Sequence, residues 1–387
     1  MTDTETSRPA RYEVVIAGAG VAGLEAAFAL RELAGDRVHV TLLSGADEYV
    51  ERPLSVGEPF TASRARRYSL DKLAARAGAD LVTDSIAAVI PARRRVATAT
   101  GAELSYDALL VAIGARPHPV FTHATTVDDA RMDELLHGLV QDVEGGYVRR
   151  LAIVVPAPMP WPLPAYELAL MASERAWDMQ ADMDITLLTP ERLPLEAFGD
   201  QAAHAMLDLL TERRIAVVGS AYCEVPRAKT VVVHPGGRTL VADRVIALPQ
   251  LRGPELAGLP QDGGGFIPVD QYGRVRGADH VWAAGDATDT PLKHGGVGAQ
   301  LADTAAASIA AQAGARVEVA PFQPVVEAVL MTGGTARHLS HRPATSGRES
   351  ESVFSAIPRH AEPPKIATRY LGPELAGTES AAVAAST

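Results

Sequence analysis

The sequence predicts an α/β protein built from two repeated β-α-β domains and a smaller C-terminal region. Three observations carry that prediction. At 387 residues the chain is too long for one ordinary hydrophobic core. It opens on a strand, a glycine turn and a helix, and the same plan restarts near residue 151.

Taken in order, residues 1–11 are polar and read as a disordered leader without the apolar run of a signal peptide. Residues 12–17 (YEVVIA) form an apolar, β-branched strand, 24–33 an alanine-rich helix, and 38–43 (VHVTLL) the strand that closes the first β-α-β unit. Residues 106–116 give a further buried strand ending at Gly114. The second copy has strands at 151–155, 185–189 and 215–218, with helices at 166–177 and 201–213. From Arg244 a third section begins, with strands at 245–248 and 281–284. The last sixty or so residues carry little regular pattern, and 378–387 read as a frayed end.

Composition narrows the function classes. A formal charge of -11 argues against a nucleic-acid partner, which needs a cationic face. The arginines at 64, 66 and 67, and at 93 to 95, read as solvated loops. A single cysteine, Cys223, excludes an internal disulfide and a four-cysteine zinc site, and no metal site is expected. No run approaches the roughly 20 apolar residues of a membrane-spanning helix, so the expectation is a soluble, cytoplasmic protein.

Gly18-Ala19-Gly20-Val21-Ala22-Gly23 fits G-x-G-x-x-G between a strand and a helix, which makes the units Rossmann-like. The first glycine permits the turn and the second admits a pyrophosphate. The third lets helix and strand touch, and the helix N-terminus favours the phosphate charge. The acid expected about 20 residues on, at the ribose, is missing. That position falls at Leu43 and Ser44, so either Ser44 makes a hydroxyl contact or Asp47 folds back; Glu48 is the other nearby carboxylate.

Far downstream, a strand ends in Ala284-Gly285-Asp286, followed by Lys293-His294-Gly295-Gly296 and an alanine-rich helix. Asp286 reads either as a partner for a chain of ligand hydroxyls or as a helix cap. Spacing alone leaves both open.

The combined motifs resemble the FAD-dependent pyridine nucleotide-disulfide oxidoreductase superfamily. The closer similarity is to its branch of type II NADH dehydrogenases, sulfide:quinone oxidoreductases and flavocytochrome c sulfide dehydrogenases. The matching pieces are the first glycine loop, Arg52-Pro53-Leu54, Tyr106-Asp107 with Ala112-Ile113-Gly114-Ala115, and Gly265-Phe266-Ile267-Pro268-Val269-Asp270. The elements at 284–286 and 293–296, Pro363-Pro364-Lys365-Ile366-Ala367 and Arg369-Tyr370-Leu371 complete the set.

The resemblance implies two FAD/NAD(P)-binding-type domains with FAD as cofactor. Asp286, beside Gly285, would hold the ribityl chain, and Gly18, Gly20 and Gly23 with Val21 and Ala22 the pyrophosphate. Ser44, Arg52, Pro53, Ala112 and Gly114 would line the nucleotide, and the main chain near Ile86 would meet adenine. The turn at Gly295, Gly296 and Val297 would set a helix N-terminus under the flavin pyrimidine, where negative charge collects. The domains expected are 1–118 with 243–315 for FAD, 119–242 for the second Rossmann-like unit, and 316–387 as an interface region.

In the second unit the three glycine positions are held by Pro156, Pro158 and Trp161. Proline lacks the N–H that phosphate needs, and tryptophan fills the helix–strand contact. NAD(P)H binding there is therefore doubtful, although the following helix still offers an N-terminus to some other anion. Sulfide chemistry fares no better, because Cys223 has no partner and reads as packing.

Lys293 is the leading candidate to act near the flavin, as a cation beside the ring or else as a surface residue. His294 reads as a proton relay or as a structural histidine. Glu167 reads as a further candidate or as a partner of its helix dipole. The apolar segment 325–331 reads as packing across domains or in a homodimer. The function expected is electron transfer between a small-molecule donor and a quinone-like or protein acceptor, without redox cysteines. Two alternatives stand beside it: an NAD(P)H-dependent flavoenzyme with an atypical nicotinamide site, and a flavin-binding redox sensor without turnover.

Overall fold

The computed structural model describes residues 11–344, 348–357 and 364–377. The rest of the polar leader, the 378–387 end and Pro363 of the C-terminal motif lie outside them.

In the first domain β1 (Tyr12–Ala17), α1 (Val21–Ala34), β2 (Val38–Ser44), β3 (Ala79–Thr83) and β4 (Ala108–Val111) follow one another. The second domain holds β5 (Thr125–Thr126), β6 (Arg150–Val154), α2 (Leu163–Asp178), β7 (Asp184–Leu188), β8 (Ile215–Val218) and β9 (Arg244–Ala247). The chain then returns to the first domain with β10 (Val281–Ala283) and α3 (Gly295–Gln312). Both domains are five-stranded parallel sheets, in the orders β10-β4-β1-β2-β3 and β5-β9-β6-β7-β8. Each also carries a three-stranded antiparallel meander, at 86–105 and 222–241. The doubly wound α/β class is therefore as expected.

Parallel strands covered on both faces must be apolar throughout. All four residues of β4 are buried, as are the last four of β1. The sparse aromatics are offset by alanine. Ala22, Ala26, Ala27 and Ala29 on α1, and Ala299, Ala302, Ala305, Ala306 and Ala310 on α3, are all buried, so these two packed helices approach closely.

Two features correct the expectation. The segment beginning at Arg244 does not return to the first domain: β9 pairs in parallel with β5 and β6 inside the second sheet. The crossing occurs later, where Gln250–Arg252 pairs antiparallel with the outgoing Arg116–His118, so both domain connections run side by side. The apolar run at 245–248 serves either sheet equally well by pattern, and register alone decides.

The C-terminal region is also more regular than its pattern suggests. β11 (Val326–Leu330), β12 (Arg337–Arg342) and β13 (Glu351–Ala356) make an antiparallel sheet. The alternating burial of β11 seats Val326, Ala328 and Leu330 on the second domain's core. The 325–331 segment is thus a half-buried strand.

Gly23 lies where α1 meets β1, and a Cβ there would stand 1.8 Å from the Gly18 carbonyl oxygen. Gly138, exposed in the helix Met132–Glu144, has open space around it. Thermal unfolding should therefore separate two like substitutions by sign. Gly23→Ala is expected to destabilise by about 1–3 kcal/mol, and Gly138→Ala to stabilise by about 0.5–1 kcal/mol.

Candidate functional site

The glycine loop joins β1 to α1 at the carboxyl edge of the first sheet, where doubly wound folds bind ligands. Gly18 has φ +103 and donates its N–H to the Leu43 carbonyl at 2.8 Å. A Cβ on Gly18 would lie 2.4 Å from the Ala112 oxygen, so this turn needs a glycine on both counts. A Cβ on Gly20, the residue preceding α1, would meet nothing within 4 Å.

The decisive juxtaposition comes from β10, two strands from β1. It ends at Ala283, and Gly285 then turns with φ +74 against Ala22 of the glycine loop, so that a Cβ at Gly285 would lie 3.2 Å from the Ala22 Cβ. Asp286 consequently opens into the same cavity as residues 18 to 22. Burial pushes the Asp286 carboxyl up to about 6, Lys293 opposing and Asp129 adding to the shift. No donor among the described residues bonds this carboxyl. A half-buried carboxyl with no protein donor beside a glycine cradle can accept from ligand hydroxyls.

The cavity is about 640 Å³, within the range of small-molecule sites. Of the residues singled out from sequence, Gly18, Gly20, Val21, Ala22, Ser44, Arg52, Pro53, Ile86, Ala112, Gly114, Gly285, Asp286, His294 and Gly295 line it. Four others do not. Gly23 is spent on the helix–strand contact. Val297 is buried in the second domain's apolar cluster, and Gly296 packs beside the His294 ring and the Ala367 carbonyl. Lys293 is neither a surface residue nor part of the lining. Its ammonium bonds the Thr288 carbonyl and sits 3.9 Å from the Phe266 ring centroid. Burial lowers it to about 8 against the pull of Asp286.

At the expected ribose position Ser44 faces the cavity, its Oγ accepting the Ala46 N–H at 3.2 Å. Glu48 also lines the cavity and Asp47 does not. Ile366, from the C-terminal motif, joins the lining, and Asp84, Asp129 and Pro254 are lining residues that sequence reasoning missed. They sit in loops or distant segments with no periodic or motif signal, though the position of Asp84 just past β3 was a usable clue.

His294 forms the wall toward the second domain. Trp161, from the third glycine position of the proline-rich turn, stacks on its ring at 4.2 Å and meets Phe198 edge-on at 5.7 Å. Burial holds His294 down to about 4, with Lys365 adding to the effect, so the imidazole is neutral at physiological pH. Its Nδ1 is buried without a partner among the described residues.

The second domain's own sheet edge carries prolines and internally bonded carboxylates. α2 begins at Leu163 with Pro162 before it and Pro164 in its first turn, so donors are missing where phosphate would sit. The carboxylate just past β7 is Glu191, which accepts from the Tyr166 hydroxyl and from Thr189 Oγ1 at 3.0 Å. Glu167 is not a helix-dipole residue but a buried ion-pair partner of Lys365, and it also accepts the Met331 N–H at 2.9 Å. Cys223, on the second meander, is pushed up to about 11 by burial, the reverse of a reactive thiol.

Residues 12–153 and 164–318 match the model of a family described as pyridine nucleotide-disulphide oxidoreductase. The match skips the proline-rich turn. The chain is 27% identical over 288 residues to putidaredoxin reductase of Pseudomonas putida, an alignment covering 66% of this chain and 62% of that protein. In fold it is similar to the sulfide:quinone oxidoreductase of Aquifex aeolicus, with TM-score 0.79 and 19% identity over 89% of this chain and 87% of that one. A ferredoxin reductase of Rhodopseudomonas palustris has TM-score 0.64 and 18% identity, over 87% and 84% of the two chains. No helix among the described residues is long and apolar enough to cross a membrane.

Glu191 provides a pH test of this second edge. Burial raises its carboxyl from 4.5 to about 7. The folded state therefore binds the proton more tightly, and stability falls as pH rises from about 4.5 to about 7. Glu191→Gln keeps an acceptor for Tyr166 and removes the charge. Its gain in unfolding free energy over wild type should be small at pH 4.5 and on the order of 2–3 kcal/mol at pH 8. An equal effect at both values would mean that the carboxyl is not held against ionisation.

Proposed function

Because the chain belongs to the pyridine nucleotide-disulphide oxidoreductase family, whose members are flavin-dependent oxidoreductases, we propose that it is an FAD-dependent electron-transfer enzyme without thiol chemistry and without a working nicotinamide phosphate loop. The observation that carries this reading is the meeting of Asp286 with the 18–22 loop in one cavity. The donor is a small molecule. The acceptor is a quinone-like compound or a redox protein, classes named by the sulfide:quinone oxidoreductase and the putidaredoxin reductase that this chain is similar to.

In this reading the backbone of Gly18 and Gly20 and the N-terminus of α1 receive the pyrophosphate. Asp286 accepts from the ribityl hydroxyls, Ser44 and Glu48 meet the ribose, and the main chain at Ile86 faces adenine. The N-terminus of α3, at Gly295, stabilises negative charge at the pyrimidine edge. Bound there, the isoalloxazine supplies the electron-transfer chemistry. Neutral His294, in the same cavity wall, would offer its unpartnered Nδ1 to hold a proton, and Trp161 stacks on its ring. Lys293 acts through Asp286 and not on a substrate.

The second edge as built favours a donor other than NAD(P)H. Two positions that would bind its phosphates are prolines, and the carboxylate that would meet its ribose is already bonded to Tyr166.

The purified protein is expected to carry FAD. Anaerobic NADH should reduce it slowly or not at all, while a short-chain quinone should reoxidise chemically reduced protein. Asp286→Ala is expected to weaken FAD retention at least about tenfold, the loss of hydrogen bonds to a charged group, measured by flavin fluorescence after gel filtration. Rapid bleaching by NADH would overturn the donor assignment, and undiminished FAD in the Asp286 variant would overturn the site.

A further inference from the structure

The two connections between the domains form a short antiparallel ribbon, Arg116–His118 against Gln250–Arg252. Its register sets Arg116 directly opposite Arg252, and His118 opposite Gln250. Directly opposed residues project from the same face of a ladder, about 5 Å apart at Cβ. Residues two apart along a strand share that face as well. One face of the ribbon therefore carries Arg116, Arg252, His118 and Gln250, and the other carries Pro117 and Leu251.

Contacts at both ends place the first of these faces. Arg116 lines the cavity, and so does Pro254, two residues beyond Arg252. Roughly 7 Å along the ribbon, Gln250 Nε2 donates to the Ala157 carbonyl at 2.5 Å, within the proline-rich turn of the second domain. The arginine pair thus stands between the glycine edge of the first domain and the proline turn of the second.

Like charges set directly opposite destabilise a ladder unless an anion lies between them. Both arginines are exposed, and neither guanidinium has an ion-pair or hydrogen-bond partner among the described residues. Other charges that line the cavity are answered from within the protein. Arg52 pairs with Asp129 at 3.2 Å, Glu48 pairs with Arg67 at 3.1 Å, and Asp84 accepts from Thr100 Oγ1 at 2.5 Å. Two guanidinium forks side by side match the paired oxygens of a carboxylate, sulfonate or phosphate.

We propose that Arg116 and Arg252 form an anion-recognising edge of the reactant site, so that the small molecule exchanging electrons with the flavin carries a carboxylate, sulfonate or phosphate group. The inference rests on the flavin reading of the cavity and names the chemical class of its partner. An anionic group held on the ribbon leaves the rest of the molecule to extend into the cavity beside Arg116. The cofactor's own phosphates belong at Gly18, Gly20 and the N-terminus of α1, whereas the ribbon face reaches toward the second domain's turn.

The probes are 1,4-naphthoquinone-2-sulfonate and uncharged 1,4-naphthoquinone, offered without oxygen to the purified, chemically reduced protein. The readout is the ratio of their second-order reoxidation constants in each variant relative to wild type, which cancels the intrinsic reactivities of the two quinones. Arg116→Gln and Arg252→Gln should each lower that ratio at least about tenfold at low salt, the loss of a charge-assisted hydrogen bond. Arg252→Lys, which keeps the charge, should stay within about threefold of wild type. Salt at about 0.5 M should shrink the wild-type preference for the sulfonate. Arg37→Gln removes the same charge just ahead of β2, at the opposite edge of the first sheet, and should leave the ratio unchanged. A ratio unmoved by both ribbon variants, or moved as much by Arg37→Gln, overturns the anion site. Loss of FAD from the ribbon variants with the ratio intact also overturns it, giving the pair to the cofactor's phosphates. A protein that purifies without flavin instead defeats the flavin reading itself, so the two failures are told apart.

Discussion

The structure turns on one close approach: the carboxyl ends of β1, β4 and β10 converge on the glycine loop with only glycines and alanines where they meet. A Cβ on Gly18 would strike the Ala112 carbonyl, one on Gly23 the Gly18 carbonyl, and one on Gly298 the Cα of Gly285 at 2.9 Å. Each contact is backbone against backbone, so none is relieved by a rotamer change. This convergence lets a carboxyl near residue 286 share a cavity with a loop near residue 20. It also requires α1 and α3 to pack tightly, which their alanine faces allow.

The two domains show the same architecture put to different ends. In the first, the edge between strand and helix is left open by glycine. In the second, proline removes the donors and Trp161 turns toward the first domain to cover His294. The residues that would greet a second dinucleotide are consumed internally, Glu191 by Tyr166 and Glu167 by Lys365. The proline-rich turn thus backs His294, a residue of the neighbouring cavity's wall. The family match skips this very turn, in keeping with its altered chemistry.

Charge around the cavity is managed mainly by burial. Asp286, Lys293 and His294 are all shifted first by loss of water and only second by their neighbours. Each is displaced toward its neutral form. A site of this kind has a weak field of its own until a ligand brings charge into it, and the fixed helix N-termini at Val21 and Gly295 then supply the balancing dipoles.

The sequence alone determined the two β-α-β repeats, the first glycine loop and the prolines of the second loop, because these follow from local rules of periodicity and turn chemistry, whereas lining residues such as Ser44, Arg52 and Ala112 were named through the family resemblance. Asp286 was legible as a candidate only through its motif, since spacing left a helix cap equally open. Tertiary structure decided what depends on register and on contacts across hundreds of residues. It moved the segment at 244–247 into the second sheet, turned Lys293 toward Phe266, brought Glu48 and not Asp47 to the cavity, and joined Glu25 to Arg369, Tyr370 and Leu371. No local pattern encodes such pairings, because a strand's apolar run suits more than one neighbour and a buried carboxylate takes its partners from wherever the chain returns.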